Sequence, residues 1–164
     1  MTNGKAVVAG ANGNERTAKW VAFRLEQETY GIDVRWVREV LRPAEIVPVP
    51  GAPDQVLGII NLRGSVVTVI DARKRFRFGQ VAADEHSRII VLELDVGTLG
   101  LFVDEVEEVI ALNEADREPP PSIGRQANSS YVEAVAKVGD RMLILIDPLR
   151  IIEEGDLEEV LEPA

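Results

Sequence analysis

Cysteine is absent from the 164 residues, which removes disulfide frameworks, thiolate zinc sites and cysteine nucleophiles together and is neutral on compartment. Histidine is almost as scarce, with His86 alone, and aromatic residues make up 5% of the chain. Basic side chains are in deficit: 18 Lys and Arg stand against 28 Asp and Glu, a formal charge of −10. That balance disfavours generic binding to nucleic acid or to an anionic membrane surface. No apolar run comes near the ~18 residues of a membrane-spanning helix, and no charged-then-apolar leader opens the chain, so a cytoplasmic protein without direct membrane insertion is expected. A chain of this length buries roughly 70% of its extended surface on folding and needs no metal or disulfide staple.

These shortages also weaken the catalytic readings. His86 lies beside Asp84, Glu85 and Ser87, a nominal acid, base and hydroxyl set, but adjacent loop residues seldom converge on one reacting atom. A small hydrolase or metal enzyme built on His86 and the acids is therefore the disfavoured alternative. Asp104, Glu105, Glu107 and Glu108 alternate faces if they lie on a strand and lack calcium-loop spacing, so they read as solvent-facing charges. Gly10 to Gly13 is too short for a phosphate loop and has no Gly-Lys-Ser/Thr after it. No cofactor is implied. Arg73, Lys74, Arg75 and Arg77, interleaved with Phe76 and Phe78, read as a solvated helix or turn following a strand rather than a phosphate site.

What the chain does have is Gly58-Ile59-Ile60-Asn61-Leu62-Arg63-Gly64-Ser65-Val66-Val67-Thr68-Val69-Ile70-Asp71. Two strand-like apolar runs flank a glycine-bearing bend, which places Arg63 at the exposed tip of a hairpin-like corner. A guanidinium there suits a bidentate contact with a partner carboxylate; spacing alone leaves open whether it is instead solvated or paired within the chain.

The chain also repeats itself at an offset of 69 residues. Residues 19–41 lie over 88–110 without a gap and share seven identities in 23 positions: Leu25 with Leu94, Thr29 with Thr98, Gly31 with Gly100, Val34 with Val103, Val37 with Val106, Glu39 with Glu108 and Val40 with Val109. With seven more residues in the second copy, Val69-Ile70-Asp71 meets Leu145-Ile146-Asp147. Two similar β-rich lobes from a duplicated plan follow.

Residues 1–18 carry no periodicity and read as a flexible tail, with order beginning near Lys19. Strands are expected at 20–25 and 30–34, with a polar turn at 26–29 and room for a helical turn within 35–40. Pro43, Pro48, Pro50 and Pro53 exclude a long helix over 42–54 and point to an edge strand and loop, with one helical turn at 53–57. A short helix is expected over 72–78, a joining loop over 79–87, and strands at 88–94, 99–103 and 106–112 with Gly97 in a turn. Residues 113–130 form an extended or mobile connection, 131–138 and 141–146 a hairpin turned at Gly139-Asp140, and 149–161 a short C-terminal helix broken or capped at Gly155. The organisation is thus a tail (1–18), a two-lobed domain (19–152, lobes about 19–83 and 84–152, with exchange of strands between them allowed), and an acidic segment (153–164).

From Lys19 to Ile152 the chain resembles the CheW family of bacterial chemotaxis adaptors. Gly58 to Gly64, the strand after it and Asp71-Ala72-Arg73 carry the resemblance most specifically, with weaker support from Val37-Arg38-Glu39-Val40 and Gly100 to Val106. Thr68 and Ala72 depart from the proline and leucine common in the family and touch packing only. The resemblance implies a mainly β fold of two five-stranded SH3-like barrels packed together, and a non-catalytic scaffold, monomeric in isolation. Such a scaffold joins the cytoplasmic tip of methyl-accepting chemoreceptors to the regulatory domain of a CheA-type histidine kinase. It further implies that Val21, Val34, Val37, Val40 and Val106 line a receptor groove, that Glu39 and Arg63 supply an acid and a base at the same surface, and that Gly58, Asn61 and Gly64 face the kinase. By residue type alone, a strand valine is more often core than interface, and a glycine at a turn explains itself. A coupling protein for a related motility or other kinase pathway, or a fragment of the kinase itself, is the alternative within the class.

Overall fold

A computed structural model describes residues 17–43, 45–79, 82–120, 131–154 and 157. Strands β1 (Thr17–Leu25) and β2 (Glu28–Asp33) form a hairpin, and a 3₁₀ turn (Val34–Trp36) leads into β3 (Val37–Leu41). Strands β4 (Val56–Leu62) and β5 (Ser65–Asp71) form a second hairpin, followed by helix α1 (Ala72–Arg75). Then come β6 (Arg88–Leu94), β7 (Gly97–Val103), β8 (Glu105–Asn113), β9 (Arg117–Glu118), β10 (Val132–Val138), β11 (Arg141–Ile146) and helix α2 (Pro148–Glu154). Two sheets result, one of six strands in the order β8-β1-β2-β11-β10-β9 and one of five in the order β3-β6-β7-β5-β4. The expected mainly β, two-sheet fold is present, and the sixth strand of the larger sheet is the two-residue β9.

Each copy of the repeat is split between the sheets. The first copy opens with β1 and β2 in the six-stranded sheet and crosses at Val34–Trp36 into the five-stranded one; the second opens with β6 and β7 in the five-stranded sheet and crosses back at Asp104. Each sheet therefore draws on both copies. Equivalent contacts recur: β11 runs parallel to β2, and β5 runs parallel to β7. Gly31 and Gly100 both face close side chains, since a Cβ would lie 3.1 Å from Leu145 Cδ2 in one copy, and 2.9 Å from Ile89 Cγ2 and 3.3 Å from Val69 Cγ2 in the other.

Several local expectations shift. Strand β1 already includes Thr17 and Ala18, ahead of the expected Lys19, because Thr17, Ala18 and Lys19 pair with Asn113, Leu112 and Ala111 of β8. The expectation for 1–16 lies outside the described residues, as do those for 121–130 and for most of the chain after Glu154. Residues 53–57 form no helix: the Val56 amide donates to Pro53 O at 2.9 Å, and β4 starts there. Gly97 begins a strand rather than a turn. Helix α1 is only one turn long, with the Asp71 carboxylate accepting from the Arg73 amide at 3.0 Å at its start. It ends so that Phe76 can enter the core.

The main core lies between the sheets. Phe23, Leu25 and Ile32 from one sheet meet Ile90, Leu92 and Leu101 from the other, all fully buried. A smaller core lies on the other side of each sheet, around Trp20 and Leu143 in one and around Val69 and Val91 in the other. An aromatic ladder crosses the junction through Phe23, Tyr30, Phe76 and Tyr131, with ring centroids 5.6, 5.2 and 4.5 Å apart. Burial pushes the Tyr30 phenol well above its ordinary value.

Because the shared core exceeds what either sheet holds alone, the two lobes should unfold as one unit. Ile32→Ala should cost about 2–5 kcal/mol and lower a single calorimetric transition. Two separated transitions would refute joint folding.

Candidate functional site

Edge strands β3 and β8 lie at the ends of their respective sheets, and each sends a valine, Val37 and Val106, against the core that the sheets share. Val37 pairs with Leu92 and Val40 with Ile90, residues of the shared core, so both valines are on the inter-sheet face of β3. Val37 and Val106 are half-buried against that core. Val34 and Val40 are exposed at 37% and 39%, far more than a core reading of these valines allows. Val21 is different. It is 4% exposed and lies under the margin, opposite Ile32 on one side and Val109 on the other.

Val109, 56% exposed, extends the row beyond the residues that the family resemblance implies for the groove. The sequence carries a signal for it, because the repeat lays Val109 over Val40 and Val106 over Val37. An apolar margin flanked by two repeat-related edge strands is thus the candidate site.

On the opposite face of the same edge strand β3, where Glu39 lies across from Val91, stands the Glu39–Arg63 pair. Arg63 Nη1 donates to Glu39 Oε1 at 3.4 Å and Nη2 donates to Oε2. The Arg63 guanidinium holds the Glu39 carboxyl below the usual carboxylate range, its hydrogen bond being the largest influence. The pair spans the space between β3 and the β4–β5 hairpin, which are opposite ends of the five-stranded sheet. Arg63 and Gly64 have φ of 52° and 90°, so the two-residue turn is of the hairpin-favouring I′ kind. Asn61 Oδ1 accepts from the Gly64 amide at 2.9 Å and pins that turn. A left-handed arginine costs about 1 kcal/mol relative to an ordinary conformation, a local cost in a chain that has asparagine two residues earlier. Residues held in such conformations concentrate at functional sites.

A second acid–base set stands on β8. Arg141 Nη1 donates to Glu107 at 2.9 Å and Nη2 to Glu108 at 3.1 Å, while Arg24 reaches Glu105 at 2.5 Å and Glu107 at 3.4 Å. Glu108 is the repeat counterpart of Glu39, and Arg141 opens β11 just past the β10–β11 turn, much as Arg63 stands at the tip of the β4–β5 hairpin. Glu105, Glu107 and Glu108 are therefore ion-paired rather than simply solvated, and Asp104 is bonded to Arg73. Among the described residues no group of three His, Cys, Asp or Glu side chains could hold a metal.

The basic run also departs from expectation. Arg73 and Arg75 are buried rather than solvated. Arg73 bonds to Asp104 and Glu26, and Arg75 donates to Ile151 O at 2.9 Å while stacking over Tyr131 at 5.2 Å. Burial is possible because each guanidinium meets acceptors from distant segments, which the local spacing does not show.

Gly58, Asn61 and Gly64 lie on the β4–β5 hairpin, but they do not share one surface. Asn61 and Gly64 are exposed and Gly58 is buried. A Cβ on Gly58 would fall 2.3 Å from Val47 O, at a φ of 154°. Its glycine is accounted for by the approach of residue 47, which exchanges backbone hydrogen bonds with Ile59.

Around His86 the polar groups are occupied with the loop itself. Asp84 Oδ1 accepts from the His86 amide at 2.8 Å, Ser87 Oγ accepts from the Asp84 amide at 2.9 Å, and the imidazole is 59% exposed. No charge-relay geometry joins Asp84, His86 and Ser87.

The chain that builds this margin matches the CheW-like domain family over residues 19–156. The chain belongs to the CheW family. It is similar to "Chemotaxis protein CheW" of Treponema pallidum, 29% identical over 151 residues, covering 90% of this chain and 89% of the relative. The corresponding protein of Klebsiella aerogenes is 30% identical over 154 residues, covering 94% and 93%. The crystal structure of a CheW scaffolding protein from Thermoanaerobacter tengcongensis superposes with a TM-score of 0.78 at 40% identity, over 84% of this chain and 94% of that one. A chemotaxis scaffold without catalytic activity is the function that membership carries. Among the described residues no helix is long and apolar enough to cross a membrane.

Two glycines give a direct test of the hairpin. Gly58→Ala meets backbone and should destabilise by more than about 2 kcal/mol, whereas Gly64→Ala meets open space and should cost only the ~1 kcal/mol of a left-handed alanine. Equal melting temperatures for the two variants would refute the assigned role of Val47.

Proposed function

We propose that this CheW-family scaffold couples the cytoplasmic tip of methyl-accepting chemoreceptors to the regulatory domain of a CheA-type histidine kinase. The receptor helix lies along the valine margin, and the kinase is met at the β4–β5 hairpin. The observation that carries this reading is the set of exposed valines, Val34, Val40 and Val109, beside two edge strands, with Glu39 and Arg63 paired on the other face of β3. An apolar strip flanked by charge accepts the apolar face of an amphipathic helix, and the charges set its register. Val37 and Val106 form the floor of that strip and Val21 supports it from below. Asn61 and Gly64 present the hairpin to the kinase, and Gly58 shapes it. The protein acts in the cytoplasm beneath receptor arrays and is a monomer when isolated. Each interface is modest, roughly 800 Å² per partner or less, so strength in an array comes from many contacts held together.

The reading separates binding from stability at Arg63. Arg63→Asn relieves a left-handed arginine while removing an exposed ion pair, so the melting temperature should stay close to that of the parent. Arg63→Glu replaces the pair with repulsion from Glu39. Calorimetric titration with a peptide fragment of the receptor tip should show about tenfold weaker binding for Arg63→Asn and a larger loss for Arg63→Glu. Unchanged affinity in both folded variants would remove Arg63 from the site. Saturable binding of the parent to both receptor tip and kinase regulatory domain supports coupling, and binding to neither defeats it.

The ion pair also has a pH signature. The Glu39 carboxyl is lowered in the folded chain, so its contribution is present above its ordinary pKa and is lost as pH falls through the lower folded value. Carbon-detected NMR titration of Glu39 should give a midpoint below 4.5, the unperturbed value, and Arg63→Asn should return it towards that value. A midpoint unaffected by Arg63→Asn would refute the pairing.

A further inference from the structure

The chain passes between the sheets at two equivalent places in the repeat, Val34–Trp36 and Asp104, and the two are built differently. At the first, Arg35 is 71% exposed and pairs locally with Asp33. The second is a single residue whose carboxylate is enclosed by donors from elsewhere. Arg73 Nε donates to Asp104 Oδ1 at 2.7 Å and Nη2 to Oδ2 at 2.7 Å. The Glu26 amide donates to the same carboxylate at 2.9 Å, and the Asp104 amide donates to Arg24 O at 3.2 Å. The remaining arm of Arg73, Nη1, reaches Glu26 at 2.6 Å and Gly79 O at 2.7 Å.

This guanidinium therefore links three segments. It stands on α1, directly after β5 of the five-stranded sheet. Glu26 is in the β1–β2 turn of the six-stranded sheet, where the backbone has a φ of 58°. Asp104 is the link itself, with Val103 in the shared core on one side and Val106 of the margin two residues further on. The Arg73 side chain is 11% exposed, and a fork-shaped, satisfied cation in that position has little freedom to re-aim. Rotation of one sheet against the other would have to break these bonds together, and it would move β8 relative to β3.

We propose that Arg73 is a positioning residue, whose bonds to Asp104 and Glu26 set the separation of β3 and β8 and so hold the valine margin at the width a receptor helix needs. The role of the margin rests on the receptor reading above, but its width can be measured without any receptor. The absence of cysteine makes that direct: Arg38→Cys on β3 and Ala111→Cys on β8 place one spin label on each edge strand at exposed positions.

In the full chain, pulsed electron double resonance should give one narrow distance distribution. Arg73→Lys keeps the charge but cannot form the fork, and it should broaden the distribution; Glu26→Gln, a milder change at a half-exposed acid, should broaden it less. The same variants without labels should bind the receptor tip more weakly, about tenfold for Arg73→Lys, while their affinity for the kinase regulatory domain stays within about twofold of the parent. Unchanged distance distributions in both folded variants overturn the proposal, and Glu26→Gln keeps that test open if Arg73→Lys fails to fold. Parallel loss of affinity for both partners also overturns it, because a merely destabilised chain would behave so. If the parent itself ignores the receptor tip, the receptor reading fails, and the label distances still decide the clamp.

Discussion

The constraint on which the structure depends is that neither copy of the repeat can cover its own hairpin. β1 and β2 would expose Phe23, Leu25 and Ile32, and β6 and β7 would expose Ile90, Leu92 and Leu101. Each buried side chain of this kind contributes about 1.5–3 kcal/mol relative to exposure. Reciprocal exchange answers both needs. Each hairpin is extended by strands from the other copy, and the apolar faces left over close on each other. The parallel pairs β2 with β11 and β5 with β7 are the places where the exchange is sealed, and Gly31 and Gly100 leave room for Leu145 and Val69 there.

The same exchange creates the valine margin. Each copy must leave one sheet and enter the other, and the strand that enters, β3 or β8, arrives at the outside edge. An edge strand has one side without a β partner. In both copies an acid on that strand meets an arginine from a hairpin that is not its neighbour in the sheet: Glu39 with Arg63, and Glu108 with Arg141. These pairs are exposed and contribute little to stability. Their value is in placing charge beside an apolar strip, where a partner helix would find both. The strip and its flanking charges are therefore consequences of the topology rather than additions to it.

Much of this is legible in the sequence, and the parts that are not have a common cause. The β-branched runs mark the strands, the repeat marks the duplication, and the Gly58–Gly64 segment marks the hairpin that presents Arg63. These are local or periodic signals. Arg73 and Arg75 look solvated in the sequence because their burial is decided by Asp104, Glu26 and Ile151, which lie far off along the chain. The acids of β8 look solvated for the same reason, since alternation predicts the face but not the arginine opposite. Residues 53–57 look helical because a β-turn and one helical turn share their residue preferences; the bond to Pro53 O and the pairing of β4 decide between them. Val109 is within reach of the sequence, since the repeat that pairs Val37 with Val106 also pairs Val40 with Val109.

Arg63 shows how these levels meet in one residue. Turn chemistry favours asparagine or glycine in its place, and electrostatics gives it only an exposed partner whose pairing stabilises weakly. Neither local energy accounts for arginine at φ of 52°. What that backbone does achieve is direction: it points a long cation from the hairpin tip across to β3, so that one side chain touches the edge strand of the margin and the corner of the hairpin at once. In a scaffold with no chemistry to perform, the relative placement of two binding faces is the property that matters. On the proposed reading two contacts control it, one exposed at Arg63 and one buried at Arg73. In that reading the exposed contact is the one a partner's carboxylate could replace without unfolding anything; the buried one could not be replaced so, and it would fix the frame for that exchange.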